Sequence, residues 1–168
     1  MPSSGKKTST ADLSALLEGL LRSDVEFILV GGLAAVIQGA PVTTMDADIV
    51  HRQSPENISR LFAFLESIHA VYRRPDDRII APKKKDFSKA GHILLTTRLG
   101  PLDVLAFIEG GKTYDDLYRH SIQIDFRGRA IRVLDIKMLT ELKRTSKFPE
   151  DKQRLAVLEA TLRQMEKE

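Results

Sequence analysis

An α/β (α+β) fold, with a small mixed β-sheet flanked by helices, is what this sequence predicts. Three observations point to it. Apolar stripes at helical spacing alternate with short apolar runs of strand length along most of the 168 residues. Two neighbouring pairs of such runs are separated only by turn residues, Gly100-Pro101 in one case and Arg127-Gly128-Arg129 in the other, and read as hairpins. The remaining runs are separated by helical patterns, and strands interleaved with helices, some of them in hairpins, argue a mixed sheet covered by helices. No internal repeat is visible.

In order along the chain, residues 1–9 read as a disordered polar tail and 10–168 as a single domain, with C-terminal helices from about 135. Thr10 is placed to cap a first helix, whose Leu13, Leu16, Leu17, Leu20 and Leu21 fall at i, i+3, i+4, i+7 and i+8. Glu26 to Val30 is the first strand. Gly31-Gly32 turns the chain into a short helix, Leu33 to Gln38, which Gly39 ends and Pro41 keeps from continuing. Asp46 to His51 is the second strand. Ser54-Pro55 caps and starts a helix with Ile58, Leu61, Phe62, Leu65 and Ile68 inward. Residues 73–90 are polar and carry the run Lys83-Lys84-Lys85, with a short strand expected at Ile79-Ile80. Strands follow at His92–Thr97 and Leu102–Phe107, a short helix at Thr113–Arg119, and strands at Ile122–Phe126 and Ala130–Leu134. Asp135 caps a helix to about Ser146. Pro149 starts the last helix, with Leu155, Leu158, Leu162 and Met165 on one face.

Composition excludes several chemistries. There is no cysteine, which removes disulfides, thiolate zinc sites and thiol nucleophiles. No apolar run approaches the ~18 residues of a membrane helix, and the N-terminus lacks the apolar stretch of a signal peptide, so a cytoplasmic location is expected. A net charge of +3 tolerates an anionic partner without demanding one. No Gly-x-Ser-x-Gly elbow supports Ser/His/Asp hydrolysis, and Gly31-Gly32 belongs to neither a Walker loop nor a Gly-x-Gly-x-x-Gly turn.

The most informative segment is Met45-Asp46-Ala47-Asp48-Ile49-Val50, whose Asp46 is separated from Gly32 by thirteen residues. Side chains alternate along a strand, so Asp46 and Asp48 share a face, with their backbones roughly 7 Å apart. Two like charges at that separation repel by about 2 kcal/mol at an effective dielectric of about 20. A cation between them reverses the sign. Asp103, the third carboxylate, stands in an otherwise apolar strand and joins the pair if that strand neighbours the second one. Three carboxylates from adjacent strands suit Mg²⁺, a hard cation that takes oxygen ligands. Two such ions about 4 Å apart fit an in-line displacement. His51 points away from Asp46 and Asp48 by the same alternation and reads as structural. His69, His92 and His120 have no ligand spacing among themselves.

These residues resemble the nucleotidyltransferase superfamily of the DNA polymerase β type, and in particular its small stand-alone members. That pattern is a strand, a Gly-Gly or Gly-Ser turn, a helix, Asp-x-Asp on the next strand and an Asp on a later one, here Gly31-Gly32, Asp46-Ala47-Asp48 and Asp103. Before the acids, Gly39 and Thr44 fit the pattern of small members, while Val42 stands where Arg is usual. The stretch Ile136 to Arg144, with Lys137 and Lys143, followed by Glu150-Asp151-Lys152, is similar to the tail of abortive-infection-type toxin enzymes.

The resemblance implies a reaction: an NMP moves from an NTP such as ATP to a hydroxyl of RNA, protein or a small molecule. It implies a triphosphate at the Gly31-Gly32 turn and the following helix N-terminus, with Thr44 close by. Asp46 and Asp48 would hold two Mg²⁺, and Asp103 would ligate the acceptor-side ion and help deprotonate the hydroxyl. Lys143 or Lys137 would neutralise phosphate charge. An antitoxin or regulatory partner is implied by analogy with the toxin enzymes. Two other readings are open from the residues: an inactive, antitoxin-like binding module that keeps the fold, and an RNA-binding protein that uses Lys83, Lys84 and Lys85.

Overall fold

The computed structural model describes residues 11–168. The expected tail over 1–9 and the cap expected from Thr10 lie outside the described residues. Here the first helix, α1 (Leu13–Arg22), is capped by Asp12, whose Oδ1 accepts a hydrogen bond from the Ala15 amide at 3.0 Å. Its Leu16, Leu17 and Leu20 are buried as the spacing requires, each contributing about 1.5–3 kcal/mol of burial.

Seven strands form one mixed sheet: β1 (Phe27–Val30), β2 (Ala47–His51), β3 (Val71–Tyr72), β4 (His92–Thr97), β5 (Gly100–Leu105), β6 (Ser121–Phe126) and β7 (Arg129–Leu134). Their spatial order is β3-β4-β5-β2-β1-β7-β6. β4/β5 and β6/β7 are the two hairpins, β1 and β2 are antiparallel, and β5 runs parallel to β2 as β7 does to β1. Parallel neighbours need long connections, and helices fill them. Between the strands lie α2 (Gly31–Ile37), α3 (Pro55–Ser67) and α4 (Tyr114–Tyr118), and after the last strand come α5 (Ile136–Arg144) and α6 (Pro149–Glu166). Among the described residues no helix is long and apolar enough to cross a membrane.

Three local expectations are corrected. The β4/β5 turn is Arg98-Leu99, with Gly100 and Pro101 already paired to Thr97 and Thr96. Thr97 explains the shift: its hydroxyl donates to the Gly100 carbonyl at 2.7 Å and accepts from the Leu99 amide at 3.0 Å. No strand forms at Ile79-Ile80. The segment instead supplies the Ile80 carbonyl to the Tyr72 amide and then a 3-10 helix, Lys84–Ser88, anchored by the fully buried Phe87. Gly31-Gly32 is not a separate turn, because β1 runs directly into α2, whose first residue is Gly31.

Register fixes what shares a face. Val30 pairs with Asp48, Asp48 with Asp103, and Asp103 with Leu94. The Arg73 amide donates to the Leu94 carbonyl at 2.9 Å and continues this row one strand further. One line across the sheet therefore carries Val30, Asp48, Asp103, Leu94 and Arg73. The opposite face of β2 carries Ala47, Ile49 and His51, all buried.

Candidate active site

The parallel pairing of β2 and β5 sets Asp48 and Asp103 side by side, and Asp46 joins them from the bend that precedes β2. One carboxylate oxygen from each lies within 4.8 Å of the others. Thr44 holds the bend, its hydroxyl donating to the Asp46 carbonyl at 3.1 Å. Lys137 is exposed on the first turn of α5. Lys143, two turns on, shares with Gly31, Asp48 and Leu139 the lining of the hollow between α5 and the sheet.

The electrostatics follow from crowding. Burial pushes the Asp48 carboxyl up to about 8, and the charges of Asp46 and Asp103 add to the effect. Asp46 is raised as well, first by burial and then by the Asp103 charge, against the opposing pull of Arg73 and Arg154. Asp48 Oδ1 is buried and has no hydrogen-bond partner. Asp103 is compensated, since its Oδ1 accepts from Arg73 Nη2 at 2.9 Å, and the same nitrogen donates to the Leu95 carbonyl at 2.8 Å. Three carboxylates with converging oxygens, one of the carboxylates also carrying an unpartnered buried oxygen, are what a hard divalent cation would satisfy. The residues present therefore fit Mg²⁺ or a cation like it.

The two glycines owe their places to close approach. Gly31 has φ +71°, and a Cβ there would overlap the Asp48 carboxylate. A Cβ at Gly32 would lie 3.2 Å from Arg154 Nη1 and 3.2 Å from the Thr44 side chain. The pair thus admits a carboxylate from β2 on one side and a guanidinium from α6 on the other. Lys143 reaches the same place already engaged, bonded to Asp151 at 3.1 Å, while Ser146 donates to the other Asp151 oxygen at 2.5 Å.

Sequence reasoning missed Arg73 and Arg154. Arg73 gave no signal, because only the β3–β4–β5 register carries it to Asp103. Arg154 did: Asp151, Arg154 and Leu158 fall at i, i+3 and i+7, one face of a helix. Of the four apolar positions expected inward on α6, Leu158 is buried and Met165 is 43% exposed. The Lys83-Lys84-Lys85 run leads into the 3-10 helix whose Phe87 packs on His51, on the face opposite the carboxylates.

No family model matches the sequence, and no curated protein matches it. Solved structures do match the fold. The lincosamide antibiotic adenylyltransferase LnuA, solved with lincomycin bound, aligns at a TM-score of 0.58 with 15% identity, over 89% of this chain and 96% of that one. A Thermotoga maritima protein, TM1012, whose name assigns it to the nucleotidyltransferases, aligns at 0.54 with 15% identity, over 93% and 91% of the two chains. The architecture is the nucleotidyltransferase fold, as the Gly-Gly and Asp-x-Asp pattern implied.

Proposed function

We propose that the protein is a metal-dependent nucleotidyltransferase that moves an NMP from an NTP to a hydroxyl acceptor. The observation that carries this reading is the meeting of Asp46, Asp48 and Asp103 at one point beside Gly31. Such a meeting is unfavourable in a protein that only needs to be stable, and it is the arrangement a cation-assisted phosphoryl transfer needs. A divalent cation bound there supplies positive charge for the phosphate oxygens. Asp46 and Asp48 would hold it together with Asp103, which would also face the acceptor.

The two sides of the site divide the substrates. On the Asp48 side, α5 and α6 cover the sheet and bring Lys143 over the Gly31-Gly32 junction, which favours a polyphosphate there. Beyond Asp103 the face is open, with Leu94 41% exposed, and an acceptor has room to approach. The acceptor oxygen attacks the α-phosphorus, the bond from that phosphorus to the bridging oxygen breaks, pyrophosphate leaves, and Asp103 takes the hydroxyl proton. Positioning and fixed charge supply most of the acceleration. The acceptor class is an RNA, protein or small-molecule hydroxyl. LnuA, by its name, adenylylates a small molecule, and a similar acceptor here would be read by the open β4–β5 face.

The test uses each of the four α-labelled NTPs with Mg²⁺ or Mn²⁺ and a panel of RNA, protein and small-molecule acceptors. Label transfer is expected with at least one combination, and Asp46→Asn with Asp48→Asn should lower it by about 10³-fold or more. Transfer that survives the double substitution, or no transfer with any pair, refutes the reading.

A further inference from the structure

We infer that Arg154 is a phosphate-binding residue of the nucleotide site, so that the C-terminal helix completes the site rather than merely covering it. The inference rests on the nucleotidyltransferase reading and deepens it. Four observations support it.

The first is place. Arg154 lines the same small hollow as Gly31, Gly32, Val42, Lys143 and Leu158, and its Nη1 occupies the space a Cβ at Gly32 would crowd. The second is commitment. Of the other cations beside the cluster, Arg73 is bound to Asp103 and Lys143 is spent on Asp151. Among the described residues Arg154 has no hydrogen-bonded or ion-paired partner, although its charge is felt by Asp46, Asp48 and Asp151. The third is rigidity. Arg154 stands between two fixed points on one face of α6. Asp151 is bonded to both Lys143 and Ser146, and Leu158 is 4% exposed in the core. Its backbone is thereby held over the β1–α2 junction. The fourth is the absence of a rival from the other wall, where the side chain is the apolar Val42.

Charge selects the ligand. A bare anion would be repelled by Asp46 and Asp48. An anion that arrives with a divalent cation is not, and a guanidinium a few ångströms further on then meets its outer oxygens. A nucleoside triphosphate satisfies both conditions, with Arg154 on the β- and γ-phosphates and therefore on the pyrophosphate that leaves. A nucleoside monophosphate reaches the cation and not the arginine.

The experiment is calorimetric titration of the full chain with ATP, GTP, CTP and UTP, and separately with the matching monophosphates, all in Ca²⁺ to suppress turnover. Arg154→Gln is expected to weaken the preferred triphosphate by about 10- to 100-fold while monophosphate affinity stays unchanged, and Arg154→Lys to fall between. Unchanged triphosphate affinity in Arg154→Gln, or equal weakening of both ligand classes, overturns the inference while leaving the wider reading intact. If wild type binds no triphosphate, the nucleotidyltransferase reading fails and the inference fails with it. Should Arg154→Gln not fold, Arg154→Lys decides: a selective loss for triphosphates supports the assignment and wild-type binding overturns it.

Discussion

Asp48 and His51 stand three residues apart on β2, on opposite faces of the sheet, and each buries a polar atom without a hydrogen-bond partner, Asp48 Oδ1 and His51 Nδ1. The surroundings separate them. His51 lies in a covered face: its Nε2 is 3.0 Å from the Phe87 carbonyl, and its ring meets the Phe87 ring edge-on at 6.4 Å. Burial lowers its pKa, opposed by the carbonyls of Phe87 and Leu105, so the ring is held neutral and behaves as core. Asp48 faces two more carboxylates, and one of its oxygens lies within 4.8 Å of an oxygen of each. One strand thus carries a titratable group that serves the fold and another that strains it. Unsatisfied polarity on the site face is the functional signal, because nothing in the fold gains from it.

The largest effects come from removing each group. Asp48→Asn should abolish nucleotidyl transfer, by about 10³-fold, while the metal-free protein becomes more stable at pH 8 by about 1–3 kcal/mol, since one buried charge among three is gone. His51→Ala should do the reverse: a loss of about 2–4 kcal/mol from the cavity left beside Phe87, with transfer per folded molecule unchanged. Urea denaturation paired with the transfer assay reads both. A destabilised Asp48→Asn would place that side chain among the structural contacts.

Next come the glycines, which differ by the same logic. Gly31→Ala adds a Cβ into the Asp48 carboxylate at a φ of +71° and should destabilise by about 1–3 kcal/mol, with loss of transfer. Gly32→Ala meets the movable end of Arg154 and the Thr44 side chain at 3.2 Å, and should be milder in stability. Equal destabilisation of the two would mean that the carboxylate is free to step aside.

The two faces also give pH dependences of opposite sign. The folded Asp48 pKa, about 8, is above its unfolded value, so the native state holds the extra proton between roughly pH 4 and pH 8, and metal-free stability should fall as pH rises through that window. His51 is lowered, so the unfolded state holds the extra proton and stability should fall as pH drops below roughly 6.5. Thermal unfolding against pH, with and without Mg²⁺, separates them: the cation should remove the alkaline decline and leave the acid one. An alkaline decline that persists in Asp48→Asn would have another source.

Much of this contrast is legible in the sequence, for identifiable reasons. Alternation alone puts Asp46 and Asp48 on one face and His51 on the other, and the hairpin before Asp103 makes β5 a strand. What alternation does not carry is adjacency. That β5 pairs with β2 in the register Asp48 to Asp103 is reached by way of the β3–β4 excursion, whose fully buried Phe87 sits in a stretch that reads as polar loop. The Thr97 hydroxyl, by making its own turn, moves the hairpin two residues earlier than Gly100-Pro101 suggests. Arg154 is hidden differently. On a helix whose apolar stripe draws attention to Leu155, Leu158, Leu162 and Met165, Asp151 and Arg154 sit beside the stripe and share a face only with its Leu158, and only the fold shows that this face lies over the β1–α2 junction.

Arg73 offers the smallest and most discriminating test of the comparison. It neutralises one of the three carboxylates without cancelling the crowding, since Asp48 is still raised. A guanidinium bound to Asp103 repels a second cation at the same cluster, and it holds the Asp103 carboxylate in line with Asp48. If its charge dominates, Arg73→Gln, which can still donate a hydrogen bond to the Leu95 carbonyl, should raise Mn²⁺ affinity about 3- to 10-fold by titration calorimetry, because the site becomes more negative. If alignment dominates, affinity should drop. The side chain is 35% exposed, so solvent screens its field and the gain stays well below the effect of removing a carboxylate. A rise in affinity together with slower transfer would show that the arginine restrains the empty cluster and positions Asp103 for the acceptor, a role with no counterpart on the His51 face.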